Sequence, residues 1–178
     1  MKIFLLLLVF LIFIGCENKD VKPPVDLAFT GGELPAQESW NSTVFFTDSG
    51  KTKAILYTGH LQVFNIRKET LLDEGLKVEF FNYLGNKTTT LTSKRGRVDE
   101  KTNDLYAIDS VVAVNDSGIV VRTDELEWRN RDKKIVSNKF VTIDSPSEHI
   151  EGYGFESDQH LRNYVIYNIT YITNAKKD

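Results

Sequence analysis

The sequence predicts an all-β domain that follows a short secretory leader. Runs rich in Val, Ile, Thr, Tyr and Phe recur along the chain, and Gly, Asn, Asp and Ser separate them. Long helical periodicity is nearly absent from the sequence. A spacing of about thirty residues between similar segments further indicates that the strands form repeated antiparallel hairpins.

The leader comprises residues 1–15. One lysine follows the initiator methionine, and Ile3–Ile14 is an unbroken apolar run. This run is shorter than the roughly 20 residues that a membrane-spanning helix requires, and it suits the apolar part of a secretory signal. Gly15 stands directly before Cys16, as at the cleavage site of a bacterial lipoprotein. We therefore expect a lipoprotein signal peptide and lipidation of Cys16, the alternative being a plain signal peptide with an incidental cysteine.

The mature chain is expected to form one domain, held to a membrane in the periplasm by its lipid. Cys16 is the only cysteine, so the chain has no intramolecular disulfide. Residues 16–40 form a lipidated N-terminus and an extended tether, since Glu17–Pro24 is polar and contains proline. The predicted domain spans residues 41–173, and residues 174–178 form a frayed tail. The periplasmic face of the inner membrane is favoured over the outer membrane.

Charge and motifs exclude several classes of protein. The net charge of −3 and the pI of about 5.7 argue against a nucleic-acid partner. The three histidines, His60, His149 and His160, show no metal-ligand spacing. His149 lies near Glu148 and Glu151, but a lone loop histidine is more often solvated than catalytic. We therefore predict no catalytic residue, no metal and no cofactor, and hence no enzyme.

The strand prediction rests on alternation and on turn residues. Leu76, Val78 and Phe80 alternate with Lys77 and Glu79, which indicates one apolar and one solvated face. The clearest predicted strands are 42–46, 75–81, 111–114, 118–122, 140–143 and 164–172.

The repeat prediction rests on three similar stretches. These begin at Leu91, Val121 and Ile150, at offsets of 30 and 29 residues, and each crosses a polar turn before a second strand. A looser copy begins near Ile55. A hairpin of this kind buries its apolar face only against its neighbours, so the units are expected to stack.

Six short motifs, taken in order, resemble the LptC family. LptC is the periplasmic component of the lipopolysaccharide-export transporter, and its domain is related to LptA and to the N-terminal part of LptD. The motifs are Asp48–Lys51 with Leu56–Thr58, then Thr90–Val98, Asp109–Val114, Thr123–Trp128, Phe140–Ile143 and Ile150–Glu156. Many family members carry a transmembrane helix, whereas this chain is predicted to be lipidated.

The resemblance implies a twisted, open β-jelly roll whose two sheets form a V-shaped groove. Acyl chains of lipid A would lie between the sheets, on their way from the inner-membrane ABC transporter to an LptA-type bridge. The predicted lipid-binding residues are Val78, Phe80, Leu91, Val112, Val114, Val121, Val141 and Ile143. Apolar alternation of this kind also fits an ordinary sandwich core, so that alternative stays open.

The resemblance also implies that similar modules join by edge-to-edge strand pairing. The predicted partner edge is the last strand, with residues Tyr164, Ile166, Asn168, Thr170 and Ile172, although an ordinary core strand is equally compatible with its sequence. The alternative function is a structural or adhesive outer-membrane lipoprotein that uses the β-repeat as a protein-binding scaffold. An apolar lane open to solvent would favour transport, and a closed core would favour the scaffold.

Overall fold

The computed structural model describes residues 33–174, and the regular elements in this range are ten β-strands. The all-β prediction is confirmed. The strands are β1 (Gln37–Asp48), β2 (Lys51–Phe64), β3 (Glu69–Phe81), β4 (Lys87–Ser93), β5 (Arg95–Asp99), β6 (Asp104–Asn115), β7 (Val120–Arg129), β8 (Lys134–Asp144), β9 (Glu148–Asp158) and β10 (Tyr164–Asn174).

All ten strands belong to one antiparallel sheet, in the order β1-β2-β3-β4-β6-β7-β8-β9-β10. Strand β5 continues β4 after a break, because both pair with β3 on one side and β6 on the other. Each repeat predicted from the spacing corresponds to one hairpin: β2–β3, β4/β5–β6, β7–β8 and β9–β10. The two sheets of the predicted V are therefore parts of a single sheet, with β1 and β10 as its edges.

A line of register irregularities crosses the middle of the strands. It passes Thr58–His60 in β2, the break between β4 and β5, Ile108–Val111 in β6, Thr123–Glu127 in β7 and Ser137–Phe140 in β8. Bulges bend the strand that contains them and increase its twist. The line thus divides the sheet into two layers, each of which includes part of both edge strands. The first layer comprises 42–48, 51–58, 76–81, 87–93, 111–115, 120–123, 140–144, 148–152 and 169–174, and the second comprises 37–40, 60–64, 69–73, 95–99, 104–108, 125–129, 134–137, 155–158 and 164–166.

Left-handed backbone occurs along this line. Glu74 and Gly75 have φ values of 59° and 91°, and Asp109 and Ser110 have values of 66° and 53°. Such values are uncommon outside glycine. On the neighbouring strand, a Cβ atom at Gly59 would lie 2.6 Å from the carbonyl oxygen of Glu74, so a side chain at that position would clash with the bulge.

Buried hydroxyl groups bind the backbone at the bend. The residues concerned are Thr58, Ser93, Thr123 and Ser137. Thr58 Oγ1 donates to the carbonyl oxygens of His60 and Asp73, each at 3.0 Å, and Thr123 Oγ1 donates to that of Phe140 at 2.7 Å. Buried carbonyl groups need such partners. The hydroxyls therefore replace ladder hydrogen bonds that the bulges interrupt.

The two layers pack face to face. Trp128 of the second layer lies with its ring centroid 6.0 Å from that of Phe46 and 5.7 Å from that of Phe80, which both belong to the first-layer side of the bend. Aromatic contacts at these distances stabilise a core beyond their buried area. Strand β1 begins at Gln37, so four residues that were assigned to the tether belong to the domain. The predicted tail lies outside the described residues except for Asn174, which ends β10.

We expect Thr123→Val to lower the free energy of unfolding by about 1–3 kcal/mol, because the substitution keeps the shape of the side chain but leaves the Phe140 carbonyl without its hydroxyl partner. Urea titration measures the change. Thr142→Val is the matched control, since Thr142 lies half-exposed on the outer face of β8 and should change stability by no more than about 0.5 kcal/mol. Equal effects of the two variants would contradict a structural role of the bend hydroxyl.

Candidate functional site

An apolar row crosses the first layer from one edge of the sheet to the other. Its members are directly paired from strand to strand. They are Val44, Leu56, Val78, Leu91, Ala113, Val121, Ile143, Ile150 and Ile172. Because direct cross-strand partners point to the same face, the row forms one continuous surface, which is buried from Leu56 to Ile150 and exposed at Ile172. The starts of the three repeats lie in it, which explains their regular spacing.

Six of the eight predicted lipid-binding residues meet in the interior. Val78, Phe80, Leu91, Val121, Val141 and Ile143 belong to one buried cluster and are at most 1% exposed. Four of them lie in the apolar row, and the other two extend it along the strands. The structure therefore places these six residues on one inner face, between the two layers.

The predicted inward orientation of Val112 and Val114 is wrong. Val114 is 39% exposed, and Val112 is half-buried on the outer face, whereas Val111 and Ala113 are buried. Residues 111–114 are apolar on both faces of the strand, so alternation alone does not show which of them point inward. The bulge at Asp109 and Ser110 also prevents the phase from being carried over from the preceding half of β6.

Sequence reasoning missed the inner face of the second layer. Its buried apolar residues are Leu61, Leu72, Leu105, Ala107, Leu126, Trp128, Ile135 and Phe155. The alternation of Leu105 and Ala107, and of Leu126 and Trp128, carries the signal that would have identified them. The interior is thus lined from both layers.

The interior is closed to solvent at the predicted lipid-binding positions. An open groove would leave these side chains partly accessible, yet the six inward ones are essentially inaccessible. The two layers of the jelly roll are therefore in contact at these positions. They pack face to face, and the row from Leu56 to Ile150 is buried between them.

Strand β10 lies at one edge of the sheet and pairs only with β9. Tyr164 and Ile166 are half-buried against the core, whereas Asn168, Thr170 and Ile172 are exposed. The other edge is β1, which pairs only with β2. Both edges present backbone groups that a further strand can pair with. Binding of a partner at β10 stays a prediction.

His149 belongs to an ion-pair cluster rather than to a solvated loop. It lies in β9, with Nδ1 2.6 Å from Asp144 Oδ1 and Nε2 3.2 Å from Glu151 Oε1. The hydrogen bond to Asp144, followed by the one to Glu151, raises the pKa of His149. His149 in turn lowers the pKa of Asp144, and Arg122 lowers it further. The cluster holds the ends of β8 and β9 together on the outer face.

Within residues 33–174, no group of His, Cys, Asp and Glu has the arrangement of a metal site, and no helix has the length and apolarity needed to span a bilayer. Cys16 and the predicted signal peptide and tether up to Gly32 lie outside the described residues.

Comparison with known families identifies the chain. The model of the family described as lipopolysaccharide-assembly, LptC-related, matches residues 37–172. The chain belongs to the LptC family. The match starts at the first residue of β1 and ends within β10, so it covers the bent sheet except for the last two residues of β10. LptC membership implies a role in lipopolysaccharide transport, as a periplasmic component associated with the inner membrane. No curated protein matches the chain.

The His149 cluster predicts a pH-dependent stability. Because the folded-state pKa of His149 is raised, its contribution is complete below the unfolded-state pKa of about 6.5 and is lost as the pH rises through the folded-state value. We expect the free energy of unfolding of the wild type to fall relative to that of His149→Gln between pH 5.5 and pH 9, as measured by urea titration. The lowered pKa of Asp144 acts below this window. Parallel pH profiles of the two proteins would contradict the prediction.

Proposed function

We propose that this LptC-family chain receives lipopolysaccharide from the inner-membrane ABC transporter and passes it to an LptA-type periplasmic bridge. The acyl chains of lipid A occupy the space between the two layers, and the saccharides stay in water. The chain itself catalyses no reaction and binds no cofactor, since ATP hydrolysis belongs to a cytoplasmic partner. Family membership supports the transport role.

The apolar row is the observation that best supports a lipid lane. The row contains no charged side chain, and it reaches both edge strands of the sheet. Each methylene of an acyl chain that leaves water for such a surface contributes about 0.8 kcal/mol. Acyl chains along the row would therefore replace the apolar contacts that the layers lose when they separate locally.

The closed interior sets a condition on this function. Because the row from Leu56 to Ile150 is buried in the free protein, binding requires the layers or one of their connecting turns to move. The row ends at the edge strands β1 and β10, each of which pairs with one other strand. We propose that the exposed edge residues Asn168, Thr170 and Ile172 pair with a strand of the bridge, which would continue the row into the next module.

The leader supports a lipid anchor in place of a transmembrane helix. Cys16 would carry a diacylglyceryl group, and residues 17–36 would connect it to β1. We propose that this anchor keeps the domain at the periplasmic face of the inner membrane, next to the transporter. An anchor of this kind leaves the domain free to rotate, so contact with the transporter would depend on the folded domain alone.

A second candidate function is the scaffold lipoprotein of the outer membrane. The closed interior favours it, since a scaffold needs a stable core and exposed edges but no lane. The two candidates differ in what contacts the buried row inside the cell.

Photo-crosslinking distinguishes these functions. A photoreactive amino acid at Val141 is expected to form an adduct with lipopolysaccharide in cells, in an ATP-dependent manner, because Val141 faces the interior. Val112 is the matched control, since it lies in the same layer on the outer face, and it should form no such adduct. A folded, abundant protein that forms no adduct at Val141 would refute the transport proposal and favour the scaffold.

The anchor has its own test. Cys16→Ser is expected to abolish incorporation of labelled palmitate and to release the protein from the inner-membrane fraction, or to leave it uncleaved. Ser49→Ala, in the exposed turn after β1, is the control and should change neither property. Unchanged labelling and fractionation of Cys16→Ser would show that the chain is held by other means.

A further inference from the structure

Three buried polar side-chain atoms without a hydrogen-bond partner lie on β4, on β9 and in the turn that follows β9. They are Thr89 Oγ1, Ser157 Oγ and Gln159 Oε1. Thr89 and Ser157 are each 1% exposed, so water does not reach their hydroxyls. Two further atoms of this kind, on Trp128 and Arg129, belong to β7. Buried polar groups in folded proteins are nearly always paired, so a cluster of unpaired ones needs an explanation.

The turn between β9 and β10, residues 159–163, follows Ser157, contains Gln159 and contacts the strands beside Thr89. His160 Nδ1 lies 2.7 Å from Thr88 Oγ1, the neighbour of Thr89 along β4. Asn115, the direct pairing partner of Thr89, donates from Nδ2 to the carbonyl oxygen of His160 at 3.1 Å. The turn therefore covers the end of β4 and β6, where the first layer meets the second.

Leu161 closes this end of the interior. Its side chain is inaccessible to solvent and belongs to the hydrophobic core, although its φ of 53° is a left-handed value that a branched side chain rarely adopts. The same Asn115 amide holds the Leu161 carbonyl at 3.3 Å. The conformation of the turn is thus maintained by contacts with another part of the sheet.

The turn is also organised from within. The Asp158 carboxylate accepts hydrogen bonds from the backbone N–H groups of His160, Arg162 and Asn163, at 2.8, 3.3 and 3.1 Å. Burial acts to raise the pKa of Asp158, but the hydrogen bonds from Asn163 and the backbone outweigh it, and the pKa is lowered. Because these hydrogen bonds lie within residues 158–163, they persist when the turn leaves the sheet, and the contacts that break are those with Thr88, Asn115 and the core.

We propose that turn 159–163 covers an entrance to the interior, and that Thr89, Ser157 and Gln159 bind the ester or amide linkage of an incoming acyl chain. This inference rests on the proposed lipid transport and names the part of the amphiphile that the site recognises. The hydroxyls of Thr89 and Ser157 donate to the carbonyl oxygen of the linkage, and Gln159 Oε1 accepts from an amide N–H or a hydroxyl.

The chemistry follows from the position of these atoms. When an acyl chain lies along the apolar row, its methylenes are buried against apolar side chains. The carbonyl group at its head also leaves water, and it needs a hydrogen-bond donor. Ser157 lies beside Ile135 in the second layer, and Thr89 lies beside Phe80 in the first, so the polar atoms border the apolar lining. A plain apolar core would gain nothing from unpaired hydroxyls at this boundary.

The test combines the Val141 crosslink with stability of the purified full-length chain. Thr89→Val and Ser157→Ala should each unfold at the same temperature as the wild type or higher, since each removes a buried hydroxyl without a partner. Both should lower the yield of lipopolysaccharide adduct at Val141 by about fivefold, the effect of one net hydrogen bond. Thr90→Val, one residue along β4 and half-exposed on the outer face, should change neither quantity.

A second variant tests the cover itself. Leu161→Gly removes the side chain that fills the entrance and suits the left-handed backbone, so the adduct yield should rise. An unchanged yield would show that the turn is not the cover. Adduct yields of Thr89→Val and Ser157→Ala equal to that of Thr90→Val, or lower unfolding temperatures, would overturn the assignment of the hydroxyls. Absence of the adduct in the wild type would instead refute lipid transport.

Discussion

The bend across the middle of the strands is the constraint on which the rest of the structure depends. A flat sheet of ten strands would leave one apolar face in water, and the bulges fold that face onto itself. The fold is possible because Thr58 and Thr123 supply hydrogen bonds to carbonyl groups at the bend, so that bending the strands does not leave buried backbone unpaired. The two layers and the buried part of the row both result from this bend.

The sequence predicted the strands and their repeat well, because both depend on local patterns. The hairpin units that begin at Leu91, Val121 and Ile150 exist, and their first apolar residues are aligned in the sheet. The bend was harder to see, since a bulge at Asp109 and Ser110 depends on backbone conformation that these residue types permit but do not require. The wrong phase of Val112 and Val114 follows from that, because every bulge resets the alternation of the residues after it.

The site was predicted in part for the same reason. Val78, Val121 and Ile143 were identified because single strands show clear alternation, but the facing layer and Leu161 were not, since nothing local connects them to the first layer. Burial was also beyond the sequence: an open groove and a closed sandwich have the same alternating pattern. Asp144, the closest partner of His149, escaped notice because it lies on the neighbouring strand, and only the register between β8 and β9 brings the two together.

The row that runs from β1 to β10 has a consequence for how such a protein changes in size. Because each hairpin contributes two directly paired residues, adding one hairpin lengthens the row by roughly 9–10 Å, twice the distance between neighbouring strands. No other part of the sheet needs to be redesigned, since the new hairpin repeats the contacts of the last. The length of the row is therefore set by the number of hairpins, and domains with different numbers of hairpins can share the same type of inner surface.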